Sequence, residues 1–129
     1  MGRIRQSIDI NGRPSWTLFD SGARNTYIIP AVATGLSTIN LPQPTHTKLG
    51  AETKSSYEAA LLLGEIEGKA FHTEAMVIDR IGRDEEGKAI EILFGALAMQ
   101  QWGIRLVPEQ ERLDLSHYPT EFVEFGENL

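Results

Sequence analysis

The sequence predicts an all-β domain, and three stretches carry that prediction. Ile4, Ile8 and Ile10 keep a period-two register up to Asn11-Gly12, a dipeptide among the strongest short-range signals for a β-hairpin. Trp16-Thr17-Leu18-Phe19 crowds aromatic and aliphatic residues together without the spacing of a helical stripe, so it reads as a short buried strand. Residues 45–79 read as two long hairpin arms with polar turns between them.

The length of 129 residues fits one domain over residues 1–129, long enough for a real core and short for two lobes. No internal repeat or low-complexity region divides it. A net charge of -6 argues against a nucleic-acid surface as the main business of the fold. No segment has the unbroken apolar length of a membrane span, and the start lacks the apolar core of a signal peptide. There are no cysteines, which excludes a disulfide framework and suits a reducing compartment, so a cytoplasmic location is the expectation.

Taken in order, the hairpin at Asn11-Gly12 returns through a strand that ends at Asp20. Thr26-Tyr27-Ile28-Ile29 is a short strand that stops at Pro30. Gly35, Pro42 and Pro44 make residues 31–46 an irregular connection with at most one helical turn. Thr45 to Leu49 leads into a polar tip, Gly50-Ala51-Glu52-Thr53-Lys54, and Ser55 to Ile66 returns with Tyr57, Leu61 and Leu63 on one side. Glu67-Gly68 turns the chain again into an alternating strand, Phe71 to Ile78. Arg80 to Lys88, with Asp84, Glu85 and Glu86, reads as a solvated loop. An apolar strand then runs from Ile90 to Phe94 and Gly95, followed by a short helix, Gly103 to Val107, a Pro108-Glu109 turn and Arg112 to Ser116. The last dozen residues hold Tyr118, Phe122, Val123 and Phe125, too apolar for a free tail, and are expected to dock on their own domain or on a partner.

The chemistry concentrates in Asp20-Ser21-Gly22-Ala23. An Asp at the end of a buried strand is costly unless its charge is hydrogen-bonded or shared, and such costs gather where chemistry is done. Asp, Ser and Gly are equally the vocabulary of turns and caps, so the triplet alone does not decide. A second stretch does: Ile90-Glu91-Ile92-Leu93-Phe94-Gly95-Ala96-Leu97-Ala98-Met99, followed by Trp102-Gly103-Ile104-Arg105-Leu106-Val107. Together the two stretches resemble the active-site signature and late motif, here Phe94 and Gly95, of the retropepsin-like aspartic proteases. The resemblance covers residues 4–115 and leaves a C-terminal extension, 116–129.

The resemblance implies a closed acid-protease barrel with one short helix near the C-terminus and a β-hairpin flap, acting as an aspartic endopeptidase without a cofactor. Two carboxyl groups roughly 3 Å apart cannot both ionise readily, so one keeps a proton while the other activates water. Asp9, Asp79, Asp84 and Asp114 lack the Ser/Thr-Gly context, which leaves Asp20 alone per chain. A homodimer with the two copies of Asp20 facing across a two-fold axis would supply the second carboxylate. By the same resemblance Ser21 would hydrogen-bond across the dimer, Gly22 would let substrate and backbone approach, and Ala23 would leave room beside the first pockets. Leu49, Gly50, Ala51 and Glu52 would form the flap, although the same segment also reads as an ordinary exposed hairpin. A peptide or protein substrate would lie extended below it, with Leu18, Ile28, Leu49 and Leu97 as candidate apolar walls.

Two features depart from the family pattern. Viral members often carry an acidic residue where Arg24 stands and an Arg where Ala96 stands, so that ion pair is absent and Arg24 needs another partner, a substrate acid or a carboxylate across the interface. The flap tip carries only Gly50. Three scattered histidines, His46, His72 and His117, give no metal-ligand spacing, so no metal is expected. The alternative function is a non-proteolytic dimerisation or peptide-binding module on the same fold; a carboxylate-pair glycosidase would leave the second motif unexplained.

Overall fold

The computed structural model describes residues 2–125. Asn11 and Gly12 both adopt left-handed backbone (φ 55° and 78°), the geometry that a tight hairpin turn demands, and fold β1 (Arg3–Ile10) onto β2 (Arg13–Asp20). There follow β3 (Tyr27–Ile28), α1 (Pro30–Ala33), β4 (Thr38–Leu49), β5 (Glu52–Ile66) and β6 (Lys69–Val77). The chain continues through β7 (Gly82–Arg83), β8 (Ala89–Ile90), β9 (Ile92–Phe94), α2 (Ala96–Gln101), β10 (Arg105–Val107) and β11 (Arg112–Asp114).

Seven strands form one sheet in the order β1-β2-β9-β3-β6-β5-β4, and β1 also meets β5 at Asp9↔Glu65. That extra pairing closes six strands into a ring and leaves β4 projecting from β5. Closure depends on a close backbone approach at Gly64, where a Cβ would lie 2.2 Å from the Asp9 carbonyl oxygen and 2.6 Å from Ile10 Cδ1.

Register decides which side chains fill the ring. β2 runs parallel to β9 with Phe19 opposite Phe94, and the two rings lie 4.9 Å apart, with Phe71 set edge-on to Phe94 at 5.4 Å. In the next row Thr17, Ile92, Ile28 and Val77 stand side by side on four neighbouring strands, and all four are buried. Residues between these rows point the other way, because side chains alternate along a strand.

Several elements differ from expectation. The segment predicted as an irregular connection contains the single helical turn α1, but from Thr38 it is strand, with the pairing broken between Asn40 and Thr45. Pro42 and Pro44 fall in that break and on the sheet's edge, where a missing N–H costs no ladder bond. Tyr57, Leu61 and Leu63 do share a side, and it is the exposed one; Ser56, Ala60 and Leu62 face inward. Trp102 is core, whereas Trp16 is half-buried with its indole N–H donating to Asp84. Asp84 therefore does more than sit in a solvated loop: its other oxygen accepts from the Glu86 and Lys88 amides and shapes the β7–β8 hairpin.

The C-terminal extension docks on its own domain as far as Phe122. The Tyr118 ring stacks on Trp102 at 5.9 Å, its hydroxyl donates to the Ala70 carbonyl, and Phe122 meets Trp102 edge-on at 5.6 Å. Val123 and Phe125 are exposed, and residues 126–129 lie outside the described residues.

Gly64→Ala places a methyl against backbone that cannot yield without opening the ring. It is expected to cost about 1–3 kcal/mol, the usual range for overpacking, and thermal unfolding followed by circular dichroism measures it.

Candidate active site

Asp20 ends β2 on the face opposite Phe19, beside Leu18, and its side chain is only 13% exposed. Its Oδ1 accepts the Gly22 amide at 2.8 Å, and Oδ2 lies 3.4 Å from Arg3 Nε. The loop closes when the Ala23 amide donates to the Asp20 carbonyl at 3.1 Å. Ser21 Oγ accepts the Gly2 amide at 3.0 Å and lies 3.3 Å from the Gly2 carbonyl, which also takes the Ser21 amide at 3.2 Å. The hydroxyl expected to reach across a dimer is thus engaged within its own chain by Gly2.

The two sequence motifs meet at Gly95. A Cβ there would sit 2.1 Å from the Asn25 carbonyl oxygen and 2.8 Å from that of Arg24, so no other residue fits without moving the site loop. The Gly95 amide donates to buried Thr26 Oγ1 at 3.1 Å. The next two amides, Ala96 and Leu97 at the start of α2, donate to the carbonyls of Ala23 and Arg24 at 2.7 and 3.1 Å. The unpaired N–H groups of a helix start are thereby satisfied by the loop that carries Asp20.

Register also builds an apolar wall beside the carboxylate. Leu18, Leu93, Tyr27 and Met76 stand side by side across β2, β9, β3 and β6, and Ile78, Ala23, Leu49 and Ile81 pack with them. Of the candidate wall residues, Leu18 and Leu49 are in this cluster. Ile28 is fully buried in the main core, since neighbouring strand residues face opposite sides, and Leu97 is 49% exposed on α2 outside the cluster. Sequence reasoning missed Leu93, Tyr27 and Ile78. In a run as continuously apolar as Ile92 to Phe94, nothing distinguishes the core face from the site face.

Above this wall projects the β4–β5 hairpin, with Gly50 (φ 64°) and Ala51 at the turn. Glu52, Thr53 and Lys54, predicted as part of the tip, belong to β5. Lys54 is buried, and its Nζ lies 3.0 Å from both Glu52 Oε2 and Asp79 Oδ1, while Arg80 reaches Glu52 at 3.4 Å. Tyr27 and Thr47 share a hydroxyl hydrogen bond of 2.9 Å, and Thr45 Oγ1 lies 3.2 Å from Met76 Sδ. The hairpin is therefore tied to the body at its root and along one side. A cleft of about 480 Å³ opens between it and the segment Asp79 to Arg83, with Leu49 and Ile81 among its lining residues. Arg24 is exposed and makes no ion pair among the described residues.

With this geometry in view, similarity to solved structures is informative. The retroviral protease-like domain of Ddi1 from Leishmania major superposes with a TM-score of 0.64 at 13% identity, covering 90% of each chain. EIAV protease complexed with the inhibitor HBY-793 superposes with a TM-score of 0.60 at 17% identity, covering 81% of this chain and 92% of that one. The chain has the retropepsin-like fold. No family model matches the sequence, and no curated protein matches it. Among the described residues no helix is long and apolar enough to cross a membrane.

Hydrogen bonds to Lys54 are the largest cause holding Glu52 and Asp79 below their ordinary values of 4.5 and 3.8, and bonds to Glu52 first and then Asp79 hold Lys54 above 10.5. Carboxylates with lowered values stabilise above their ordinary range and lose that contribution as pH falls through the lowered values; a raised lysine contributes until pH climbs past its own. The tie should hold between about pH 4.5 and 10.5 and loosen in stronger acid. Amide-exchange protection in residues 47–54, taken relative to the intrinsic rate at each pH, should hold through that window and be lower in Lys54→Gln. Gly95→Ala, which forces the site loop and α2 apart, should cost about 3 kcal/mol, the upper end for overpacking, as read by denaturant unfolding.

Proposed function

We propose that this protein is an aspartic endopeptidase in which two subunits each contribute Asp20 to one water-activating pair. The observation that carries the reading is the placement of Asp20: a single carboxylate on a tight Asp-Ser-Gly turn, braced by Gly95 and α2 and set beside an apolar wall. One such carboxylate per chain cannot act as base toward water and also hold a proton for the substrate. A two-fold pairing supplies both roles from identical residues.

In this reading water sits between the two carboxylates. The ionised one takes a proton from the water as the oxygen attacks the scissile carbonyl, while the protonated one donates its proton to the carbonyl oxygen. The proton taken from water then passes to the leaving nitrogen as the C–N bond breaks, and a hydroxyl of the diol returns its proton to the other carboxylate. The extended substrate lies between the loop and the hairpin, where the half-buried Leu18 and Leu49, packed on buried Leu93, favour apolar side chains flanking the cut bond. The solved relatives support the fold of this reading, and the Asp20 turn supports its chemistry.

The expected result is cleavage of an unstructured protein by the wild type, abolished by Asp20→Asn and blocked by pepstatin, with sedimentation showing a dimer for both forms. Dimerisation and peptide capture without cleavage would favour the binding module. Because the pair has to keep one proton, turnover should peak on the acidic side of neutral, and a rate climbing steadily through about pH 8 would contradict a shared proton.

A further inference from the structure

Arg3 stands opposite Asp20 in the β1–β2 register, so both side chains emerge on the same face. Its guanidinium reaches Oδ2, the one carboxylate oxygen that the Gly22 amide leaves open. Gly2 fixes this approach: it is hydrogen-bonded to Ser21 on one side and packs on Leu106 and Pro108 on the other, where a Cβ would come within 3.3 and 3.0 Å. The strap Gly2-Arg3 thus engages the two site residues, Asp20 and Ser21, that a partner subunit would need.

Arg3 also has a second place to go. It lines a cleft of about 280 Å³ together with Trp16, Asp84, Glu85, Glu86 and Glu111. In that cleft Arg5 pairs with Glu85, and Asp84 is taken by Trp16 and two amides. Glu86 and Glu111 have no ion-pair partner among the described residues. A guanidinium leaving Asp20 would meet two acids on the same side of the hairpin.

Resting on the dimeric reading of Asp20, we infer that Arg3 is a positioning residue that occupies the Asp20 carboxylate in the unpaired subunit and swings toward Glu86 and Glu111 when two subunits meet. The side chain is 71% exposed, so it can move without unpacking anything, and an exposed pair of this kind is weak enough to be exchanged. Each dimer formed exchanges two contacts with the largely buried Asp20 for two with the exposed Glu86 and Glu111, which offset only part of the loss because solvent screens them more.

Sedimentation equilibrium of the full chain tests this, with casein turnover measured alongside. Arg3→Met should tighten pairing by roughly 2- to 30-fold, the span that two exposed ion pairs can exert. Arg3→Lys, which keeps the charge, should stay within about twofold of wild type, and Glu86→Gln with Glu111→Gln should weaken pairing by removing the second seat. The opposite signs separate a switch from a general loss of stability, and the double glutamine variant decides the matter should Arg3→Met fail to fold. Equal pairing of wild type and Arg3→Met, or no effect of the glutamines, overturns the switch while leaving a cleaving dimer intact. Failure of every form to pair overturns the switch and the dimeric reading together, whereas tighter pairing of Arg3→Met without turnover supports the switch and sinks only the protease.

Discussion

A parallel strand pair governs this molecule: β2 beside β9, in the register that sets Phe19 against Phe94. From that one alignment follow two surfaces with different tasks. Phe19, Phe94 and Phe71 close the core. The intervening row, Leu18 with Leu93 and Tyr27, forms the wall next to Asp20. A slip of one residue would exchange the two sets, burying the carboxylate and exposing the phenylalanines, and both changes are costly. The hydrophobic core therefore fixes the site's orientation.

Backbone contact at two glycines makes the register possible. At Gly95 the late motif lies directly on the Arg24 and Asn25 carbonyls, which lets the first amides of α2 hold the loop behind Asp20. At Gly64 β5 lies on β1 and the sheet closes. A closed sheet has no free edge along the ring, so the exposed edge is left to β4, where Pro42, Pro44 and the break in pairing blunt it. The hairpin that β4 makes with β5 is consequently free along its outer side and tied along its inner one by Lys54, Tyr27 and Thr45.

Much of this was legible beforehand because the relevant signals are local. Asn11-Gly12 dictated its turn, the alternation from Phe71 dictated a strand, and Asp20-Ser21-Gly22 announced a tight turn after a buried run. The misreadings share one physical cause. Ile28 and Trp16 were each identified as apolar strand residues and were ambiguous as to face, as was the side taken by the stripe of Tyr57, Leu61 and Leu63, which does share one face. Apolarity does not say which side of a sheet is core when both sides carry aliphatic residues. Pro42 and Pro44 misled in the other direction, since prolines that interrupt a central strand are tolerated at an edge.

By itself, then, the sequence determined the inventory: strands and hairpin turns, a single carboxylate in an Asp-Ser-Gly turn, and two motifs far apart in the chain. These are properties of neighbouring residues, set by backbone sterics and turn chemistry. Tertiary structure alone decided that Arg3 faces Asp20, that Ser21 is held by Gly2, that Lys54 ties the hairpin down, and that Leu93 rather than Ile28 lines the wall. Each of those outcomes depends on the register between strands distant in the chain, and register is fixed only when the whole core packs.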